Sequence, residues 1–323
     1  NNTRNINNNM TIIPSIHWED IGGLSNVKNE IRNAIEIPLK YPHLFPTNDL
    51  KRSGIVLFGP PGTGKTLVAK AVATECGLPF ISIKGPELLG SYVGESEANV
   101  RKAFETARTQ AAAAVAYQKA TKTKAAILFF DELDSLAPRR RIDVAGNNSS
   151  SSDVMDRVVA TLLGELDQKM TSEGAIGDED SQIQIFVIGA TNRPDLLDPA
   201  LLRPGRLDRR VYLGFPTNEE DRIQILKSQM QKFPFGDSVA EADIRSIIHC
   251  IPPNLTGADL SAISSGALLR SLHRKCKEIE QEAQKRIMMG DNIAADAYET
   301  CIQQVMEEWE ERDETLLTPI VTL

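Results

Sequence analysis

The sequence predicts an α/β domain whose parallel sheet is covered by helices on both faces, followed by a smaller domain made of helices alone. Three observations support this fold class. Short apolar runs alternate with segments of helical periodicity up to residue 215. One run passes through a glycine-rich turn into a helical segment, and only helical patterns remain after residue 215. Strands that alternate with helices favour parallel pairing, because each connection has to cross the sheet.

Five apolar runs are the predicted strands of this sheet. They are residues 54–58, 79–83, 125–130, 183–190 and 209–215. Residues 63–76 and 95–110 carry apolar side chains at helical spacing, and we expect residues 111–124 to extend the second of these helices. Residues 139–153 and 169–182 are rich in polar residues and are predicted to be surface insertions.

The predicted domain boundary is the change of pattern at Phe215-Pro216. An Asn-rich start predicts a disordered linker over residues 1–14, and we expect the chain to be a fragment of a longer protein. The α/β domain is predicted over residues 15–215 and a small helical lid domain over residues 216–318. The helices expected in the lid are residues 223–231, 243–250, 257–276 and 302–314.

Composition argues against several classes of protein. A net charge of -8 disfavours a protein that is held on nucleic acid by phosphate contacts. No apolar run approaches the roughly 20 residues that a membrane helix needs. The cysteines are far apart and are predicted to be reduced core residues, which favours a cytoplasmic location. They are Cys76, Cys250, Cys276 and Cys301.

Residues 58–67, FGPPGTGKTL, match the phosphate-binding pattern G-x-x-x-x-G-K-[ST]. Glycines let the backbone curl until its N–H groups converge on phosphate oxygens, and the helix that follows adds partial positive charge. Lys65 supplies a full charge, and Thr66 offers a hydroxyl to Mg²⁺. An ordinary Gly/Pro turn is the alternative, but the strand–loop–helix setting favours a P-loop NTPase. The predicted nucleotide contacts are Gly59, Pro60, Pro61, Gly62, Thr63, Gly64, Lys65, Thr66 and Leu67.

Two adjacent carboxylates, Asp131 and Glu132, follow the apolar run ILFF. We expect that run to lie beside the strand that feeds the P-loop, so that Asp131 faces Mg²⁺ and Glu132 polarises the attacking water. The alternative is a helix N-terminus with acidic caps. Asn192, after the run 183–190, is predicted to position the same water; its alternative role is turn formation before Arg-Pro.

Arg203 and Arg206 lie three residues apart around a Pro-Gly turn. Their planar, forked donors suit a transition state in which negative charge is spread over phosphoryl oxygens. The alternative is a solvated basic loop.

These motifs, in this order, resemble the AAA family of ring-forming ATPases. The matching segments are residues 18–24, 59–66, 84–97, 129–140, 189–208 and 256–260. The resemblance implies a hexamer that binds ATP and Mg²⁺ between subunits, with Arg203 and Arg206 acting in trans on the neighbouring site. It also implies that a loop formed by Asp20, Ile21 and Gly22 holds the adenine. Gly257 and Ala258 match the helical-domain positions that close over the nucleotide.

The segment SYVGESE resembles the pore loop of the family. The resemblance implies that Tyr92, followed by Val93, grips an unfolded polypeptide in the central channel. An ordinary packed aromatic is the alternative for Tyr92.

Within the family, residues 50–80 and 154–167 are most similar to the peroxisome biogenesis members, with p97/Cdc48-type segregases as the rivals. The likeness implies a homo- or hetero-hexamer, with peroxisome biogenesis factor 1 as the second subunit. Such a ring would extract an import receptor at the cytosolic face of the peroxisomal membrane, which it reaches only through an adaptor protein. The sequence departs from the family after Asp167, where Gln168-Lys169-Met170 replaces an Asp-Gly turn.

A nucleotide-gated assembly module with little hydrolysis is the alternative of another class. Glu132, Asn192 and both arginines are intact and favour hydrolysis, since a module that only binds ATP has no use for all of them. A nucleic-acid remodeller is disfavoured by the acidic charge balance, because single-strand platforms come with a basic groove.

Overall fold

The computed structural model describes residues 14–41, 54–90, 92, 94–114, 124–139, 150–171, 183–230 and 241–288. The chain divides into two compact units, Asn1–Phe215 and Pro216–Leu323, and each is described by itself. The expected linker over residues 1–14 lies outside the described residues except for Pro14.

The first unit contains a five-stranded, wholly parallel sheet. Its strands are β1 (Ile55–Phe58), β2 (Phe80–Lys84), β3 (Ala125–Asp131), β4 (Gln184–Thr191) and β5 (Arg209–Tyr212). They are ordered β2-β3-β4-β1-β5. Every pairing is parallel. All five predicted runs therefore form strands, and the predicted α/β fold class is confirmed.

The strand order corrects one expectation about the site. We expected the ILFF strand, β3, to lie beside β1, but β4 lies between them. The register pairs Phe58 of β1 with Thr191, and Phe130 of β3 with Gly189. β3 and β4 are both apolar and buried along nearly their whole length, so their hydrophobic pattern alone does not decide which one is next to β1. Both strands still end at the same edge of the sheet.

Helices cover both faces of the sheet. They are α1 (Ser25–Lys40), α2 (Lys65–Cys76), α3 (Gly85–Leu88), α4 (Glu95–Ala114), α5 (Leu133–Leu136) and α6 (Ser150–Thr171). Alternate residues of each strand feed two separate cores. Phe129 packs with α1 and α2 and stacks on Phe80 with ring centroids 5.7 Å apart. Its neighbour Phe130 packs with α4 and α6 and meets Phe104 at 6.0 Å.

Helix α6 corrects the predicted insertions. It begins at Ser150 and ends at Thr171, so it takes the last residues of the segment 139–153 and the first residues of the segment 169–182. Serine is compatible with a helix N-terminus, and the polar composition that suggested a loop here did not prevent a helix. Residues 140–149 and 172–182 lie outside the described part of the chain, as do residues 115–123 of the expected extension beyond α4.

The second unit consists of helices in the residues that the structure describes. They are α7 (Glu219–Met230), α8 (Glu241–Cys250) and α9 (Gly257–Met288). A small apolar cluster joins α7 to α8 through Ile223, Leu226, Met230, Ile244 and Ile248. The helix predicted over residues 302–314 lies outside the described residues.

The cysteines only partly match the prediction that they are core residues. Cys76 is half-buried, but Cys250 and Cys276 are exposed, which makes that prediction wrong for both. Cys250 is the last residue of the helix Glu241–Cys250, and Cys276 lies on the solvent-facing side of the helix Gly257–Met288. Among the helices that the structure describes, none is long and apolar enough to cross a bilayer.

Candidate nucleotide-binding site

The P-loop links the end of β1 to the start of α2, as the sequence predicts. Gly59, Gly62 and Gly64 all have positive φ, at 147°, 77° and 88°. A Cβ on Gly59 would collide with the carbonyl of Leu213 on the adjoining chain segment. Only glycine fits this combination of left-handed backbone and close approach. The loop leads into the N-terminus of α2, where the first N–H groups of the helix and the helix dipole favour a bound anion.

Lys65 is folded back onto the loop that it follows. Its side chain is 8% exposed, and Nζ donates to the carbonyls of Gly59 at 3.0 Å and Pro60 at 2.7 Å. Burial lowers the pKa of Lys65, while the carboxylates of Asp131 and Asp134 oppose that decrease. The ammonium is therefore held at the mouth of the loop, where phosphate oxygens would replace the two carbonyls.

Asp131 and Thr66 meet across the site. The Thr66 hydroxyl donates to Asp131 Oδ2 at 2.9 Å, although the strand that carries Asp131 is not adjacent to β1. A hydroxyl and a carboxylate beside a phosphate-binding loop are hard oxygen donors of the kind that Mg²⁺ takes from a protein. The residues present therefore fit a magnesium ion shared with a nucleotide.

Glu132 adopts a left-handed backbone conformation, with φ 53° and ψ 48°. Its N–H donates to Asp131 Oδ1 at 3.1 Å. Its carbonyl accepts two hydrogen bonds from Ser135, one from N–H at 3.0 Å and one from Oγ at 2.7 Å. A residue other than glycine in this conformation is strained, by about 1–3 kcal/mol, and persists only where its surroundings fix it. The exposed Glu132 side chain is thus presented at the sheet edge by a rigid backbone.

Gly85 lies directly behind the Glu132 peptide. A Cβ built on Gly85 would come within 2.6 Å of the Glu132 carbonyl oxygen and would also collide with Ser135 Oγ. Gly85 is the first residue of α3, in the same segment, 84–97, that contains Tyr92. The segment of the predicted pore loop is therefore packed against the backbone of the predicted catalytic glutamate.

Replacing Gly85 by alanine is expected to lower the rate of ATP hydrolysis about tenfold or more with little change in ATP affinity. The added methyl group must displace the Glu132 carbonyl, and a small misplacement of a reacting group is costly. Steady-state turnover and equilibrium ATP binding measure the two quantities. Gly164→Ala is the matched control, because a Cβ there meets nothing within 4 Å. Wild-type turnover by Gly85→Ala would show that the contact has no bearing on Glu132.

Asn192 follows β4 at the edge of the sheet. Thr191, which precedes it, is buried; its hydroxyl donates to Asp134 Oδ1 at 2.8 Å and accepts from the N–H of Arg193 at 2.9 Å. These bonds fix the turn on either side of Asn192. Because β4 lies between β1 and β3, the exposed Asn192 follows the strand that separates the P-loop from Glu132.

Arg203 and Arg206 differ sharply in their surroundings. Arg203 is exposed. Arg206 is 18% exposed and forms a bidentate ion pair with Asp167, from Nε to Oδ1 at 2.7 Å and from Nη2 to Oδ2 at 2.6 Å. Its Nη1 also donates to the carbonyl of Ala200 at 2.8 Å. The hydrogen bonds with Asp167 raise the pKa of Arg206, although partial burial opposes the increase. The structure thus gives Arg206 a partner within its own chain.

The predicted adenine loop begins with a short 3₁₀ turn, Trp18–Asp20. Asp20 Oδ2 accepts a hydrogen bond from the N–H of His17 at 2.8 Å, and Ile21 and Gly22 follow as half-buried residues. In the second unit, Gly257 and Ala258 are the first residues of α9. The carbonyl of Gly257 accepts from Gln229 Nε2 at 3.0 Å.

Tyr92 is 79% exposed, so the structure does not support the alternative of a packed core aromatic. Its N–H donates to Glu95 Oε2 at 3.2 Å. Val93, its predicted partner in the pore loop, lies outside the described residues.

Sequence reasoning missed several residues that shape this site. Asp134 and Ser135 lie in the same DELDS segment as Glu132. Ser135 follows Glu132 by three residues, and this spacing could have signalled a hydrogen bond from the serine to the Glu132 backbone. The sequence departs from the family pattern directly after Asp167, which drew attention to this position. Its pairing with Arg206 was not predictable, because the two residues are 39 positions apart in the sequence. Gly85 gave no signal, because close approach to Glu132 is visible only in three dimensions.

Comparison with known proteins agrees with this geometry. The model of the family named ATPase family associated with various cellular activities (AAA) matches residues 55–215. The chain therefore carries an ATPase domain of the AAA family, which confirms the resemblance predicted from its motifs.

Relatives with high identity are peroxisomal ATPases. The chain is 48% identical over 279 residues to the peroxisomal ATPase PEX6 of Dictyostelium discoideum and 48% identical over 274 residues to that of Rattus norvegicus. It is 46% identical over 283 residues to that of Saccharomyces cerevisiae. These alignments cover 85%, 85% and 87% of this chain but only 21%, 25% and 25% of the relatives. The chain thus spans a quarter or less of their length.

Proposed function

We propose that this chain is the ATP-hydrolysing motor module of a peroxisomal AAA ATPase, equivalent to the second ATPase domain of peroxisome biogenesis factor 6. The observation that carries the proposal is the meeting of Thr66 and Asp131 at 2.9 Å, beside the P-loop and Glu132. A nucleotide-binding relic has no use for a complete set of phosphate, magnesium and water-activating groups at one sheet edge. The relatives named peroxisomal ATPases support the peroxisomal assignment.

The side chains of this site have distinct roles in the proposed reaction. The N–H groups of the P-loop and the ammonium of Lys65 hold the triphosphate in place, and Thr66 and Asp131 would hold Mg²⁺. When bound, Mg²⁺ would supply positive charge to the phosphate oxygens. Glu132 accepts a hydrogen bond from the attacking water and takes its proton, while Asn192 orients that water.

The proposed assembly is a hexamer in which each nucleotide lies between two subunits. Arg203 is exposed and accessible to a neighbour's phosphates, and Arg206 is the second arginine of the same turn. We place this ring at the cytosolic face of the peroxisomal membrane, with peroxisome biogenesis factor 1 as the second type of subunit. An adaptor protein would link the ring to the membrane. The similarity to peroxisomal ATPases supports the association with peroxisomes.

The proposed substrate is a protein threaded through the ring, with the peroxisomal import receptor as its cargo. An exposed tyrosine can contact any extended polypeptide through its ring, whatever the sequence of that polypeptide. Tyr92 has the required exposure, and its segment leads back through Gly85 to Glu132.

Replacing Tyr92 by alanine is expected to abolish ATP-dependent unfolding of a tagged fluorescent protein while basal ATP hydrolysis stays near the wild-type rate. Tyr92 is 79% exposed and is not among the side chains assigned to hydrolysis, so its replacement should remove only the contact with the substrate. Tyr92→Phe is the matched control, because it retains the ring. If the wild-type protein itself bound ATP but showed neither turnover nor unfolding, a nucleotide-gated assembly module would be indicated. Unchanged unfolding by Tyr92→Ala would remove Tyr92 from the substrate path.

A further inference from the structure

We infer that Lys28 is a positioning residue for the nucleobase: it fixes the shape of the loop from Trp18 to Gly22 and so sets ATP affinity and base selectivity. The inference rests on the proposed function, since it takes this loop to be the place where adenine binds. None of the motifs that define the nucleotide site includes Lys28, which lies on α1.

The Lys28 ammonium contacts both ends of the loop. Nζ donates to the carbonyl of Ile21 at 2.6 Å and to the carbonyl of Trp18 at 3.0 Å. It also lies 5.9 Å from the centroid of the Trp18 ring, within the range of a cation–π interaction. Both hydrogen bonds are partly buried, which strengthens charge-assisted bonds of this kind. One side chain therefore ties the first residue of the turn to the residue that follows it.

Apolar packing holds the loop only in part. Trp18 and Ile21 pack against the core but stay partly exposed. The 3₁₀ turn, which begins at Trp18, is three residues long and contains no fully buried residue. Side-chain bonds to the backbone are therefore needed to complete the selection of one backbone conformation.

A second side chain, on another helix, also contacts the loop. Glu75 Oε1, on α2, accepts a hydrogen bond from the N–H of Trp18 at 3.2 Å. Glu75 lies near the C-terminal end of the helix that begins at the P-loop, so this bond ties the loop to the same helix as the phosphate site. Lys28 sets the orientation of the peptide groups within the loop.

Peptide orientation matters because purine bases are distinguished by their polar edges. Adenine presents an amino donor where guanine presents a carbonyl acceptor. With the Ile21 carbonyl turned toward the Lys28 ammonium, the loop shows the base a fixed pattern of backbone donors and acceptors. Without the ammonium, that carbonyl is released and the peptide can rotate, so both affinity for adenine and discrimination against guanine should decrease.

The test is equilibrium binding of ATP, GTP and inorganic tripolyphosphate to the full chain and to Lys28→Met, which keeps the length of the side chain but not its charge. We expect about tenfold weaker ATP binding, a smaller ATP-to-GTP preference and unchanged tripolyphosphate binding. Lys28→Arg, which retains the charge, should recover much of the ATP affinity. Lys40→Met is the matched control, because Lys40 lies on the same helix and pairs with Glu36 rather than with the loop.

Each result separates the inference from the proposed function. Wild-type ATP affinity and base preference in Lys28→Met would overturn the positioning role. Equal loss of ATP and tripolyphosphate would also overturn it, because the defect would then extend to the P-loop. If the wild-type chain binds tripolyphosphate but prefers no nucleotide, the inference fails while the phosphate site stands. If it binds neither ligand, the proposed function fails as well.

Discussion

Glu132→Gln is expected to lower the rate of ATP hydrolysis by about a hundredfold or more while ATP binds as tightly as to the wild-type protein. The amide cannot take a proton from water, and general-base catalysis typically contributes a factor of that size or larger. The groups that hold the nucleotide are separate from Glu132. Lys65 lies on the P-loop, and Thr66 and Asp131 keep their own contact. Single-turnover hydrolysis and equilibrium ATP binding together measure both effects.

The substitution Glu132→Gln should also leave the local structure intact, because the hydrogen bonds that hold this residue are made by its backbone. Its N–H and carbonyl make their contacts with Asp131 and Ser135, and the side chain is exposed. Glu105→Gln, on the exposed side of α4, is the matched control for loss of one carboxylate. If Glu132→Gln lost ATP binding to the same extent as turnover, Glu132 would belong to the binding site rather than to the chemical step.

Arg206→Ala is expected to lower turnover of the assembled protein about a thousandfold, with ATP binding retained. An arginine that contacts the transferring phosphoryl group from a neighbouring subunit contributes 10³–10⁵ in rate in other nucleotide hydrolases. Turnover per chain in the wild-type protein should then rise with protein concentration as the ring assembles. Arg206→Lys should not restore activity, because an ammonium lacks the forked geometry.

Mixing experiments distinguish an arginine that acts in trans from one that supports its own subunit. Arg206→Ala has an intact Glu132, and Glu132→Gln has an intact Arg206, so their mixture should recover turnover that neither variant shows alone. Absence of recovery in mixed rings would contradict action in trans.

Asp167→Ala controls for the ion pair within the chain. Asp167 is 49% exposed, so its removal should be tolerated by the fold. If Asp167→Ala reproduced the full loss seen with Arg206→Ala, then the pair, rather than the arginine itself, would be what the reaction needs.

The parts of the site that could be predicted from sequence are those encoded locally. The P-loop is one turn between a strand and a helix, and its glycines, lysine and threonine lie close together in the sequence, so one short pattern predicts the whole loop. The places of Glu132 and Asn192 were predictable for a similar reason, since each is the second residue after an apolar run. The strands were predictable because short apolar runs stand between segments of helical pattern, and those of β3 and β4 are almost continuously apolar.

The features that escaped prediction depend on distant pairing. β3 and β4 are both apolar along nearly their whole length, so the apolar pattern of the two strands does not show which one lies next to β1. The contacts of Arg206 with Asp167 and of Lys28 with Trp18 use polar residues that are common on any surface. Gly85 lies in the same segment as the recognised Tyr92, yet its proximity to Glu132 arises from the pairing of β2 with β3, which places Lys84 beside Asp131.

The hydrogen bonds that Lys65 makes to the carbonyls of Gly59 and Pro60 have a consequence for nucleotide exchange. A buried ammonium with no partner would destabilise a vacant loop by several kcal/mol and would hold product back. Because the loop provides substitute acceptors, the charge stays paired as soon as the phosphates depart. Release of the product should therefore not leave the Lys65 ammonium unpaired, and we expect this residue not to slow the exchange of ADP for ATP.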